Sequence, residues 1–220
     1  MIKKERWQAL SQTPNQKSLR LPSRDGCFQL EPMDAIREFC PAKINLYLAI
    51  TGQRKDGFHE LLSLVAPLAY GDVLTVSRAS KGEGDRLSCD YPEVPTGPEN
   101  LVLRAAHAFR EACPDAGGFV FELDKKIPPG AGLGGGSSNA AAALRAMNRL
   151  CGNPLDDGQL CALAATLGSD CPLFVEGRAV VMSGRGETLE PLPGPAAAVL
   201  RGRRVVVFRP LFGVSTRSEE

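Results

Sequence analysis

The sequence predicts an α+β domain, and three observations carry that expectation. Residues 42–50, AKINLYLAI, alternate apolar and polar side chains as a half-buried strand does. Residues 137–150, SSNAAAALRAMNRL, read as a helix with a small-residue face, entered from a glycine-rich loop and closed by Gly152. Strand-like and helix-like stretches interleave along the chain, without repeats or low-complexity tracts.

Taken in order, the first 39 residues show no periodic pattern and no hydrophobic signal core, so they are expected to be a disordered extension. In the first strand Ala42, Ile44, Leu46, Leu48 and Ile50 should face the core, with Lys43, Asn45 and Tyr47 on the other side. The turn TGQRKDG leads to a second apolar stretch ending before Pro67, and DVLTVSR follows a Gly71-Asp72 turn as a third strand. DRLSCD is a short fourth. Thr96 to Glu99 has capping-box spacing with proline at a first helical position, which predicts a helix from Glu99 to Ala112. FVFEL is a strand that feeds the glycine loop. LCALAATL is helical and is expected to close at Gly168, ahead of the tight stretch SDCPLF. AVVMS and ETLEPL flank a Gly-Arg-Gly turn as a hairpin. After the breaker PLPGPAAA, RVVVFRP reads as the first strand of a new unit. The expected plan is an extension over 1–39, one domain over 40–195, and the incomplete start of another over 196–220.

A chain of 220 residues can bury one ordinary core. Its net charge of +1 argues against nucleic acid as a partner. Basic residues at Arg54-Lys55, Lys125-Lys126 and Arg201 to Arg204 still suit a small anionic substrate. No apolar run approaches the ~18 residues that span a bilayer, so no membrane role is expected. Seven cysteines, an odd number without C-x-x-C spacing, favour free thiols and a cytoplasmic setting over disulfides or zinc.

The most informative stretch is KIPPGAGLGGGSSNAAAAL, residues 126–144. Gly130, Gly132 and Gly135 satisfy G-x-G-x-x-G, yet Pro128-Pro129 interrupt the approaching strand and no acidic strand end follows at dinucleotide-binding distance. A Walker A loop needs a lysine before its serine, and none is present. What remains is an anion cradle. Glycines let successive N–H groups converge on a phosphate, and the helix that follows adds its unpaired donors and positive end. Pro129, Gly130, Gly132, Leu133, Gly134, Gly135, Gly136, Ser137 and Ser138 make the cradle, with Ser137 or Ser138 as hydroxyl donors or a metal ligand.

The motif PPGAGLGGGSSNAAAAL resembles the phosphate-binding stretch of the GHMP kinase superfamily. PAKINLYLAITGQRKDGFHEL resembles the amino-terminal signature of its branch that phosphorylates a cytidine-diphosphate sugar alcohol in non-mevalonate isoprenoid synthesis. LGSDCPLF resembles that branch's third motif. The likeness runs from about Cys40 to Thr216. It implies a GHMP amino-terminal domain of ribosomal-protein-like fold, ATP with Mg²⁺, and transfer of a phosphoryl group to the 2-hydroxyl of the sugar alcohol. It also implies a second domain, of which this chain would carry only the start. Two alternatives stay open, a related kinase for homoserine or mevalonate, and an inactive nucleotide-binding fragment.

Individual residues take their roles from the resemblance. Asp170, by itself a turn or cap residue, becomes the base or hydroxyl-orienting group. Lys43, by itself a solvated strand residue, becomes the cation paired with it. Asn45 shares that face and contacts substrate. Phe58 and His59 engage the cytosine, with phenylalanine where the family usually has tyrosine, so stacking is kept without the hydroxyl. Thr216 matches a threonine near the substrate, although the aromatic that often follows it is absent from RSEE. Asn100 matches a residue near the adenine, or is an ordinary helix-start residue. Ser137 is the expected metal ligand. Lys125 and Lys126 read as a solvated pair that helps attract ATP.

Overall fold

The computed structural model of the chain describes residues 35–53, 59–184, 186 and 188–208. Phe58 and Thr216 lie outside them, as does the side chain of His59.

Two long strands dominate. β1 (Ala35–Gln53) and β2 (His59–Arg78) form an antiparallel hairpin whose register shifts at Pro41/Lys43, Asn45/Tyr47 and Ile50/Gly52. β1 thus begins five residues before the expected boundary. Ala35–Phe39 belong to the sheet, with Ile36 in the core. β2 is one strand where two were expected. Gly71-Asp72 is not a turn, because Gly71 lies flat against β1, where a Cβ would stand 2.2 Å from the Cys40 carbonyl oxygen. With no side chain at Gly71, the two strands stay paired through this point.

β3 (Arg86–Cys89) runs parallel to β4 (Phe119–Asp124), and β4 pairs with the Val73–Arg78 half of β2. β5 (Val180–Gly184) takes the same edge of β2 further along, against Leu61–Val65, and forms the expected hairpin with β6 (Thr188–Pro191). The sheet order is β3-β4-β2-β5-β6, with β1 on the other side of β2.

α1 (Leu101–Ala112) starts two residues later than the capping-box spacing suggested. Thr96 does not cap it; Asn100 does, accepting from the Val102 amide at 2.9 Å while its own Nδ2 donates to the Pro95 carbonyl at 2.6 Å. α2 (Gly135–Leu150) is the central helix. Ala140 to Ala143 are fully buried, and these small side chains let its axis lie close to β1 and β2. Gly152 ends it with φ 80, as expected. α3 (Asp157–Ala165) opens on a capping box between Asp156 and Gln159. It stops before Gly168, capped by Thr166, whose hydroxyl donates to the Leu163 carbonyl at 2.7 Å. α4 (Cys171–Glu176) turns SDCPLF into a short helix.

The main core lies between sheet and helices, around Phe109, Phe119, Phe121, Leu74, Leu144 and Met147. Phe109 and Phe119 meet edge to face with ring centroids 6.3 Å apart, and each such ring contributes about 1.5–3 kcal/mol by burial. A smaller cluster joins Val65, Ala141, Leu173, Phe174, Val180 and Met182 under α4. Arg145 fastens α2 to both neighbours, bonding Glu38 Oε2 of β1 at 2.9 Å and the Phe174 carbonyl of α4 at 2.5 Å.

Two expectations fail at the margins. Only Ala42 of the alternating β1 set is fully buried, and exposure climbs to 44% at Leu46, 59% at Leu48 and 66% at Ile50, because the hairpin end runs past the helical layer. RVVVFRP is not a strand over its described part: Val206 and Phe208 are 76% and 87% exposed, and no described strand pairs with it. PLPGPAAA, expected as a breaker, begins α5 (Gly194–Leu200), for which its prolines sit at the N-terminus where a missing N–H costs nothing.

Candidate active site

The glycine loop crosses the free edge of β1. The Lys43 amide donates at 2.9 Å to the Leu133 carbonyl, so the strand that carries one candidate catalytic residue also holds the loop. Gly130, Gly132 and Gly134 adopt left-handed φ of 68°, 70° and 71°. Around the first two a Cβ would meet nothing, whereas at Gly134 it would stand 2.8 Å from Phe174 Cζ and 3.0 Å from Lys43 Cγ. The loop is open outward and tightly backed at its last turn.

Lys43 does not lie on a solvated face. Its side chain is 12% exposed, and Nζ stands 3.4 Å from Asp170 Oδ2 and donates to Asn45 Oδ1 at 2.8 Å. Asn45 Nδ2 donates in turn to Ser63 Oγ at 2.7 Å, and the Ser63 hydroxyl to the Tyr47 carbonyl at 2.7 Å. Ser63 was not anticipated. Its signal was a lone hydroxyl inside the apolar run LLSLVA, a position that is buried and therefore obliged to find partners.

Asp170 occupies the N-cap position of α4 but makes no capping hydrogen bond. An aspartate so placed ordinarily binds the amides of the next turn. Here its carboxylate turns to Lys43 instead and stays 29% exposed. Next to it, burial pushes the Cys171 thiol up, and a hydrogen bond with Ser137 partly offsets this.

The two serines of the cradle differ. Ser137 lies against Cys171, while Ser138 Oγ is buried without any hydrogen-bond partner. A buried hydroxyl left unpaired at the first turn of a helix is unusual, because buried polar groups ordinarily find a partner. No cluster of three or more His, Cys, Asp or Glu that could hold a metal exists among the described residues, so a divalent ion here would take most of its oxygens from a phosphate ligand. Asn100, expected near an adenine, uses its Oδ1 to cap α1 and its Nδ2 to bond the Pro95 carbonyl of the preceding loop. Lys125 is not solvated: its side chain is 5% exposed and bonds Asp72 at 2.5 Å. A groove of ≈ 710 Å³ lined by Thr96, Leu103, Arg104, His107 and Thr166 opens along α1, and neither Lys43 nor Asp170 lines it.

Residues 100–178 match the family described as GHMP kinases N terminal domain, and the sheet order, glycine loop and central helix fit that fold. The particular proteins it resembles are 4-diphosphocytidyl-2-C-methyl-D-erythritol kinases. The chloroplastic protein of that name from Arabidopsis thaliana is 42% identical over 164 residues, covering 74% of this chain and 43% of the relative. The Protochlamydia amoebophila protein is 40% identical over 187 residues, 85% of this chain and 62% of the relative. A crystal structure of 4-(cytidine 5'-diphospho)-2C-methyl-D-erythritol kinase superposes with a TM-score of 0.62 at 44% identity, over 71% of this chain and 55% of that one. A homoserine kinase from Cytophaga hutchinsonii shares the fold at 22% identity and a TM-score of 0.53. This chain spans about half the length of the curated relatives it matches. No helix among the described residues is long and apolar enough to cross a membrane.

Proposed function

We propose that this domain binds ATP and transfers its γ-phosphoryl group to the 2-hydroxyl of 4-diphosphocytidyl-2-C-methyl-D-erythritol, as the names of its relatives suggest. The observation that carries the reading is the Lys43–Asp170 pair, set 3.4 Å apart on the strand and helix that flank the glycine loop. Phosphoryl transfer demands little covalent chemistry from a protein. It needs neutralised phosphate charge, an oriented hydroxyl and somewhere for the hydroxyl proton to go.

Each requirement has a residue. Amides of Gly130 to Gly136 and the N-terminus of α2 receive phosphate oxygens. The orphan Ser138 hydroxyl, or Ser137 beside it, would be the protein's ligand to Mg²⁺, which would supply positive charge to neutralise the nucleotide phosphates. Asp170 accepts a hydrogen bond from the acceptor hydroxyl and takes its proton as the new P–O bond forms and the bond from the γ-phosphorus to the bridging oxygen breaks, releasing ADP. Lys43 balances that carboxylate and stabilises negative charge on the transferred group, while Asn45 and Ser63 hold the ammonium in place. Phe58, Thr216 and the side chain of His59, all beyond what the structure describes, are the proposed contacts to the cytidine end.

A coupled assay comparing the cytidine-diphosphate alcohol with homoserine and mevalonate tests the substrate. Equal turnover of all three would discard the cytidine preference. Asp170→Asn should lower kcat by ~10²–10⁴ while nucleotide binding is largely kept. An unchanged rate removes Asp170 from the mechanism.

A further inference from the structure

Asp72 is completely buried in β2, and the reading above gives it no role. A carboxylate withdrawn from water persists only where its oxygens are fully satisfied. Four donors converge on it. The Lys126 and Ile127 amides both donate to Oδ1 at 2.7 Å. Lys125 Nζ donates to Oδ2 at 2.5 Å and Asn139 Nδ2 to Oδ2 at 2.9 Å.

These donors come from two places. Lys125, Lys126 and Ile127 form the exit of β4 just before Pro128-Pro129, and Asn139 lies in the first turns of α2. The glycine loop is the chain between them. One carboxylate therefore ties down both ends of the loop. The Lys125 ammonium lies beneath the cradle as well, 2.9 Å from where a Cβ on Gly135 would be. With its side chain 5% exposed and its charge matched by Asp72, it braces the first residue of α2 from behind.

We propose that Asp72 is a positioning residue for nucleotide binding, fixing both ends of the glycine loop, and that Lys125 serves it as a buried strut and does not touch the nucleotide. This rests on the kinase reading. It explains why position 135 excludes a side chain: the space that a Cβ would take is held by the ammonium and by Ile127 Cγ2, 3.1 Å away. It also predicts an asymmetry. Loss of the carboxylate alone strands a positive charge against the positive end of α2, whereas loss of both charges does not.

The test uses Asp72→Asn, Lys125→Met and the double variant in the full chain. Calorimetry gives the Kd for a non-hydrolysable ATP analogue with Mg²⁺, and steady-state kinetics give kcat and KM. Asparagine keeps an oxygen for the Lys126 and Ile127 amides but turns a donor toward Lys125 and Asn139. Asp72→Asn should weaken the analogue about ten- to hundredfold, with kcat at saturating ATP and KM for the alcohol held within about threefold. Lys125→Met should change Kd by less than about threefold, and the double variant should recover most of the loss.

Lys125→Met as damaging as Asp72→Asn would make the lysine a nucleotide contact and overturn the proposal. So would an unchanged Kd in Asp72→Asn. If Asp72→Asn does not fold, Asn139→Ala, which cuts the tie to α2 together with a contact to the Cys40 thiol, must weaken the analogue; unchanged binding there refutes the anchor. A parent chain that binds the analogue but turns over no alcohol sinks the kinase reading and leaves the anchor measurable. A parent that binds no nucleotide sinks both.

Discussion

Alanine at Gly134 tests how tightly the glycine loop is backed, because Gly132 provides an internal control. The two glycines have φ of 71° and 70°, so a side chain pays the same left-handed penalty at either, about 1–2 kcal/mol. They differ in what a Cβ meets. At Gly132 there is nothing within 4 Å, while at Gly134 it would stand 2.8 and 3.0 Å from Cζ and Cε2 of Phe174 and 3.0 Å from Lys43 Cγ. Phe174 is 2% exposed and cannot swing away, so overpacking adds about 1–3 kcal/mol. Gly134→Ala should thus cost about 2–5 kcal/mol and Gly132→Ala about 1–2 kcal/mol. Urea unfolding at matched slopes measures both. Adding Phe174→Leu to Gly134→Ala should recover part of the difference, since it removes the offending ring atoms. Equal costs at the two glycines would show that the contact with Phe174 and Lys43 does not constrain the loop.

Two further outcomes follow from single buried groups. Ser138→Ala should leave stability unchanged or raise it by up to about 1–2 kcal/mol, because it deletes an unpaired buried hydroxyl, and should still weaken Mg²⁺-dependent nucleotide binding; stability lost with affinity intact would contradict the ligand role of that hydroxyl. Burial raises the Cys40 thiol from 9.0 to about 11, so its contribution to stability is complete below pH 9 and is lost as pH rises through about 11. Between those values the slope is about 1.4 kcal/mol per pH unit, and Cys40→Ala should reduce the alkaline loss by that amount in denaturant titrations from pH 8.5 to 10.5. An identical slope in the variant would mean that Cys40 ionises freely in the folded state.

Local patterns were legible wherever the cause was local. The strand at 119–124, the helix after the glycine loop, its closure at Gly152 and the hairpin around Gly186 all follow from turn chemistry and periodicity acting over a few residues. Readings failed where distant chain decides. Gly71 looks like a turn residue, and only its contact with the Cys40 backbone makes it part of a continuous strand. Residues 203–208 have every strand propensity and no described neighbour to pair with, and a strand without a partner gains no ladder hydrogen bonds.

By itself the sequence marked the glycine loop, since glycine spacing and a serine-led helix specify a turn-rich backbone entering a helix, and the structure gives Gly130, Gly132 and Gly134 left-handed φ. Motif likeness also paired Lys43 with Asp170, and the structure sets the two side chains 3.4 Å apart. Tertiary structure decided what those residues are spent on. It turned Asp170 away from its helix toward Lys43, committed Asn100 to a cap, and left Ser138 without a partner. It also buried Lys125 against Asp72, converting an apparently solvated charge into a brace. The physical reason is that a polar group's role is set by which partners remain within reach once water is removed, and the donors and acceptors that meet here come from segments up to 127 residues apart.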